Sequence, residues 1–284
     1  MAIRVVVQEI PPLRAAWMRF VLGAAVLLIA AWWKKLPLPA NEREWRAVLV
    51  LSVTMMAIPY GLIFYSEQYV TSSITAVLYS TSPLLTALLT PLVLKKSVPR
   101  GALLSLLVAV GGIAYLFQID LMATPKTLAG GVMILIAVLC SAFSTVYARR
   151  EASQVHPVVT TIIQLAVGAV VLIAVSTMME RGQVSHWSPK AAAALVFLAI
   201  FGSAIAFAVF YWLIGHMSPY KASTVNLVVP FVAITEGSLI LHEIITWHMF
   251  IASVVVLGAV GSVLLSQPDA PISLKIEAVA DTEA

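Results

Sequence analysis

The sequence predicts an all-α polytopic membrane bundle of about nine transmembrane helices, and three observations carry that prediction. Of its 284 residues, 61% are apolar and only 11% charged. A water-soluble domain carries about 25% charged residues, so most of this surface must face lipid. Apolar stretches free of Asp, Glu, Lys and Arg recur along the chain at about the 20 residues that a helix needs to cross the hydrocarbon core. The connections between them are short throughout, which leaves no soluble domain to hold a separate function.

In chain order the uncharged stretches are 20–33, 47–66, 70–94, 101–119, 127–148, 152–179, 191–220 and 244–268, and a ninth, 222–242, carries Glu236 as its one acid. The first is short, and extending it back past Arg19 to Leu13 gives a full span. Helices are therefore expected at 13–33, 46–66, 71–94, 101–118, 127–148, 157–178, 190–214, 219–241 and 248–266. Trp32, Trp33, Trp45, Trp187 and Trp247 fall at the borders, where an amphipathic indole prefers to lie. Residues 267–284 read as a polar, disordered tail. Cys140 is the single cysteine, so an intrachain disulfide and a thiolate metal cluster are both excluded. No apolar core followed by a small-residue cleavage site opens the chain, and no removable signal peptide is expected.

Basic residues alternate between loops. Lys34, Lys35, Arg43, Arg46, Lys95, Lys96, Arg100, Arg149, Arg150 and Lys221 fall on one side, and Arg4, Arg14, Lys126, Arg181 and Lys190 on the other. The positive-inside rule then places the richer set and the C-terminus in the cytoplasm, with the N-terminus outside a cell membrane.

An internal repeat is visible as shared Pro and Gly register. At an offset of 145, Pro12 meets Pro157, Arg19 meets Gln164, and Gly23-Ala24 meets Gly168-Ala169. At an offset of 147, Tyr60, Phe64 and Tyr65 meet Phe207, Tyr211 and Trp212, Pro83 meets Pro230, and Gly111 meets Gly258. An odd number of helices per repeat inverts the second copy, a common plan among transporters. The expected organisation is a first repeat at 1–118, a linker at 119–126, a second repeat at 127–266 and the tail. In the second repeat a helix precedes the segment that matches Glu9; in the first only 1–8 stands there, so about 20 residues, or one span, are expected to be missing.

The arrangement resembles the EamA-type branch of the drug/metabolite transporter superfamily. The residues that carry the resemblance are Ile10-Pro11-Pro12 with Arg19-Phe20, then Ser72-x3-Ala76 leading to Ser82-Pro83-Leu84-Leu85-Thr86-Ala87-Leu88-Leu89. In the second half they are Ala222-Ser223 leading to Val229-Pro230-Phe231-Val232-Ala233, and Leu239-Ile240-Leu241-His242-Glu243. The resemblance implies ten helices in two inverted five-helix repeats and the movement, usually outward, of small metabolites or drugs. This chain departs from that pattern in its largely absent first helix, in Lys95-Lys96 where a glutamate is often found, and in Glu236 within a span.

Ionisable groups inside a span cost about 2.5–3.5 kcal/mol at a helix centre on insertion scales, which makes them functional candidates by default. Arg19 and Glu236 are the two. Arg19 either snorkels to the headgroups or offers a bidentate fork to a substrate carboxylate. Glu236 either glues helices as a neutral, hydrogen-bonded acid or takes up and releases a proton during transport. Tyr60, Tyr79, Ser80, Ser82, Gln164, Ser203, Tyr211 and Asn226 stand near helix middles and are candidates to line a cavity. The repeat-related aromatics serve packing or substrate stacking equally well. Pro83 and Pro230, read as mid-span residues, would each remove a backbone hydrogen bond and kink a helix, as hinges for alternating access or as fixed bends.

Enzyme classes find no support. His242 and His248 are six residues apart, whereas the zinc-helix motif needs i, i+4 to put both ligands on one face. No catalytic residue, metal ligand, cofactor or nucleic-acid partner is expected; the partners are the lipid bilayer, a small-molecule substrate and, where Glu236 couples transport, protons. The function expected is a secondary exporter. An uncoupled facilitator and a non-transporting structural or regulatory subunit are the alternatives.

Overall fold

The computed structural model describes residues 2–70, 75, 78–117, 124–228 and 247–265. They form α1 (Ala2–Val7), α2 (Pro12–Trp33), α3 (Glu42–Ser66), α4 (Ser82–Leu94), α5 (Arg100–Phe117), α6 (Pro125–Glu151), α7 (Pro157–Met179), α8 (Pro189–His216), α9 (Pro219–Ser223) and α10 (Trp247–Leu265). The polytopic helical bundle is as the sequence predicts. Among the described residues, α2, α3, α6, α7 and α8 are each long and apolar enough to cross a membrane, and shorter apolar helices run at Ser82–Leu94, Arg100–Gly112 and Val254–Leu265.

Helix starts follow from local chemistry. Pro12, Pro125, Pro157, Pro189 and Pro219 each stand in a first turn, where the missing N–H is one the helix would leave unpaired anyway. Thr124 Oγ1 accepts from the Thr127 N–H and Ser188 Oγ from that of Ala191. Asn41 caps α3 by accepting from the Glu44 N–H, while the Glu44 carboxylate reaches back past the cap to the Ala40 N–H and accepts from Asn41 Nδ2, a variant of the capping box. His156 Nδ1 accepts from the Val158 N–H; burial, then nearby Lys34, pulls this imidazole below its ordinary range, which keeps the acceptor lone pair available.

Two expected spans are broken. Instead of one helix over 71–94, residues 78–79 are helical, Ser80 and Thr81 turn, and α4 starts at Ser82. Pro83 therefore stands in the first turn of a helix and not in the middle of one, so its missing N–H breaks no bond there. Thr81 Oγ1 donates to the Leu78 carbonyl, the local side-chain competition that ends helices. Likewise α9 stops at Ser223, Thr224 turns with its hydroxyl on the Lys221 carbonyl, and 225–228 are helical again. Pro230 and Glu236 lie outside the described residues, as does most of the expected 219–241 span. Pro91, which the sequence did not single out, stands inside α4.

A different irregularity interrupts α3 and α8. Each holds one π-helical segment, Ser52–Ala57 and Ile200–Ile205, 148 residues apart and so close to the repeat offset. They pack crosswise. A Cβ on Gly168 of α7 would lie 2.9 Å from Met56 Cβ, in the first segment. A Cβ on Gly23 of α2 would lie 3.0 Å from the Ala199 carbonyl and 3.2 Å from Ser203 Cβ, at the second. Only glycine lets each helix approach the widened turn of the opposite half. The other repeat-related glycines, Gly111 and Gly258, meet nothing within 4 Å.

The main core gathers Phe20, Leu51, Met56, Phe64, Leu165, Leu172, Phe207 and Ile214 from both halves around α2 and α7. A second core joins α5 to α10 through Leu106, Ala109, Val256, Val260 and Val263. Leu28, Ile29, Leu92, Leu104, Leu135 and Val170 point outward, as lipid-facing residues do.

The two ends differ. At one, Arg43 pairs with Glu151, Arg150 donates to the Val93 carbonyl, and Arg149 donates to the Ile214 and Gly215 carbonyls at the C-terminus of α8, where a cation suits the helix dipole. At the other, the α1–α2 and α7–α8 connections are stapled together by Glu9, Arg14 and Glu180.

Candidate functional site

The polar residues meet where α2, α3, α7 and α8 cross. Arg19, two turns into α2, is 3% exposed and does not snorkel to an end. Its Nε–H donates to Ser203 Oγ at 2.6 Å and its Nη2 to the Gly202 carbonyl at 2.6 Å. The π-helical turn presents that carbonyl: the Ala206 N–H reaches back five residues to Phe201. Tyr60 lies 4.8 Å below the guanidinium carbon, with Phe64 and Phe20 at 5.8 and 5.9 Å, so aromatic faces hold the cation. Tyr60 also meets Phe20 and Phe207 edge to face.

Across the same centre, the repeat-equivalent Gln164 of α7 is fully buried. Its Oε1 accepts from the Tyr211 O–H at 2.7 Å, while its Nε2 has no hydrogen-bond partner. One turn earlier, Thr160 is buried with its hydroxyl also unpartnered. Buried polar groups are nearly always paired, and these two on one face of α7 are exceptions.

Among the sequence candidates, the structure thus brings together Arg19, Tyr60, Gln164, Ser203 and Tyr211. Tyr79 stands at the edge of the group. Its hydroxyl is 3.1 Å from Ser141 Oγ of α6, and it feels the charge of Arg19 and the presence of Tyr60. Ser82 and Asn226 form a separate contact, Asn226 Nδ2 donating to Ser82 Oγ at 3.4 Å, beside Ser223 and Thr86. That contact ties the two broken helices to each other. Buried Ser80 sits at the first of those breaks. The aromatic series divides by helical geometry: Tyr60, Phe64, Phe207 and Tyr211, at i, i+4, point inward. Trp212 is 51% exposed and stacks on His216, and Tyr65 packs on Tyr69.

Sequence reasoning missed Gly202, Thr160, Ser141 and Glu180. Thr160 had a signal, since it stands four residues before Gln164 and so on its face. The others depend on which helix lies opposite. A cavity of about 530 Å³ lies elsewhere, between the ends of α2 and α7, lined by Leu28, Trp32, Trp33, Leu36, Val159 and Ile163 among others. Its walls are almost wholly apolar, so it suits a lipid tail better than a polar solute.

Comparison with known proteins matches this architecture. A profile of the EamA-like transporter family matches residues 1–118 and again 128–265. The uncharacterized transporter YoaV of Bacillus subtilis is 23% identical over 256 residues, covering 90% of this chain and 88% of its own length. Protein PagO of Salmonella typhimurium is 25% identical, covering 87% and 82%. The uncharacterized inner membrane transporter YedA of Escherichia coli is 30% identical over 269 residues, covering 93% and 85%. A solved crystal structure superposes with a TM-score of 0.77 at 16% identity, covering 91% of this chain and 90% of that one; this shows the fold alone.

Proposed function

The chain belongs to the EamA-like transporter family and is a multi-pass membrane transporter, and from that premise we propose that it is a secondary exporter of a small metabolite, amino acid or amphiphilic drug. Two inverted repeats, 1–118 and 127–266, rock against each other about the Arg19–Gln164 centre. The Arg43–Glu151 end faces the cytoplasm and the Glu9–Glu180 end faces outside.

The observation that supports this reading best is the crosswise seating of Gly23 and Gly168 on the two π-helical segments, with the buried polar groups of both halves between them. Interlocked repeats with a polar centre form the plan in which alternating access exposes one site to either side. The broken helices at Ser80–Thr81, next to Pro83, and at Thr224 serve as hinges, and Pro230 adds a further one. Glu236 exchanges the coupling proton, because an acid within a span is readily neutralised and recharged.

Efflux tests this. Cells expressing the chain, preloaded with amino acids, their analogues and cationic dyes, are expected to lose at least one compound faster than control cells. Glu236→Gln should remove the dependence of that efflux on an inward proton gradient. Efflux of the same compound that ignores the gradient in both forms would make the protein an uncoupled facilitator. No efflux of any compound would favour a non-transporting subunit.

A further inference from the structure

We propose that the Arg19 guanidinium is the anchor for a substrate carboxylate, and that the substrate is a small organic acid whose apolar or aromatic body lies against Tyr60, Phe64 and Phe207. This rests on the transporter reading and gives it a substrate class.

Four features converge. First, Arg19 is buried in a span, yet no carboxylate among the described residues lies in salt-bridge range of it; the ion pairs there involve Arg43, Arg46 and Arg150. An isolated buried charge is costly, and a counter-ion that arrives and leaves resolves that cost only while it is bound. Second, the guanidinium is aimed. Ser203 and the Gly202 carbonyl take one N–H at Nε and one at Nη2, and the Tyr60 hydroxyl is a third partner, out of the five N–H groups that arginine carries. The planar fork is held in place with donors to spare, the geometry that carboxylates recognise. Third, Gln164 Nε2, at the repeat-equivalent position on α7, is buried and unpartnered, a neutral donor from the opposite half. Fourth, the walls are aromatic: Phe20, Tyr60 and Phe207 meet edge to face, which suits a flat apolar body more than a hydrated sugar.

The residues assign roles. Arg19 binds the charged end. Gln164 binds a second polar group. Ser203 positions the guanidinium and does not itself select substrate. The opposite repeat offers glutamine where the first offers arginine, so the site is charge-asymmetric although its scaffold is repeated. One end of the substrate is therefore read as an anion and the other by shape.

The test is binding to the full chain in lipid nanodiscs, by calorimetry at pH 7, of benzoate, 3-phenylpropionate, indole-3-carboxylate and octanoate against their neutral primary amides. At least one acid should bind more than about tenfold tighter than its amide, the difference expected of a charge-assisted fork. Arg19→Lys, which keeps the charge and loses the fork, should weaken that acid by at least about fivefold and leave the amide unchanged. Arg19→Gln should make acid and amide equal. The comparison within the unmutated protein needs no variant to fold.

Equal binding of acids and amides, or no binding of any acid, overturns the proposal. So does an unmutated protein that ignores carboxylates while Glu236→Gln binds them, since Arg19 would then be partnered by Glu236. Proteoliposome flux separates this from the broader reading. Acid binding without flux keeps the carboxylate site and sinks export. Equal flux of acids and amides, unaffected by Arg19→Gln, keeps export and sinks the site.

Discussion

Two regions of the bundle bury charge between its halves, and they do so in opposite ways. At the Glu9–Glu180 end, Glu180 is 2% exposed and its carboxylate is fully used: it accepts from the Leu13 N–H at 2.8 Å, the Arg14 N–H at 2.9 Å and the Ser176 hydroxyl at 2.7 Å. Pro11 and Pro12 have no N–H to give, so the first free donors of α2 are the two that Glu180 takes, where a carboxylate also suits the helix dipole. At the centre, Arg19 has no acid beside it among the described residues, and Gln164 keeps an unpaired polar atom. Complete satisfaction marks a structural staple. Incomplete satisfaction at the crossing of the two halves suits the proposed solute site.

The largest effect expected from breaking this contrast comes from Glu180→Ala. It strands two backbone donors at a buried helix start and a serine hydroxyl. Hydrogen bonds to a charged group are worth about 1.5–3 kcal/mol each, with partial rescue by water at the membrane edge, so the loss should be about 2–4 kcal/mol. Thermal unfolding in detergent or nanodiscs measures it, and the ratio of acid to amide affinity should not change. A stable Glu180→Ala protein with altered selectivity would move Glu180 from the staple to the site.

The opposite sign is expected one turn before Gln164 on α7. Thr160→Val replaces a buried, unpartnered hydroxyl by an equally shaped methyl, and removing an unsatisfied polar group should raise stability by about 1 kcal/mol. A loss of stability instead would mean that the hydroxyl is already satisfied by bound water, and the contrast between the two regions would narrow.

These two regions were not equally legible in the sequence. Helix starts were, because Pro12, Pro125, Pro157 and Pro189 act through their own backbone. The central pair was half legible: the 145-residue offset that aligns Pro12 with Pro157 also aligns Arg19 with Gln164, and the structure places both at the crossing of α2, α3, α7 and α8. The partners of Arg19 were not, since the Gly202 carbonyl is offered by a π-helical turn that Ile200–Ile205 do not announce in their composition. The break at Ser80–Thr81 was hidden in an unbroken apolar run, and with it the true place of Pro83. Glu180 ends such a run and reads as a border residue; its role exists only because the Pro-Pro start of α2, 167 positions away, folds against it.

The smallest effect separates the two acids of the staple. Glu9 accepts from the Ser188 hydroxyl at 2.7 Å and the Ser188 N–H at 2.9 Å. The hydroxyl first, and then the N–H, hold its carboxyl below the ordinary carboxylate range. A carboxyl lowered in the folded state adds stability that is fully present above its unfolded pKa and is lost as pH falls through the lower folded value. The melting temperature of the unmutated protein should therefore exceed that of Glu9→Ala by a small, constant margin from pH 7 down to about 5, and the two should converge below about 4. Because Glu9 is solvated, salt should shrink the margin as well. A margin that grew on acidification would mean that the protonated carboxyl is the bonded form. Glu9 would then be an acid-strengthened latch across the α1–α2 and α7–α8 connections, and that end of the bundle would respond to pH in the direction opposite to a staple of ionised carboxylates.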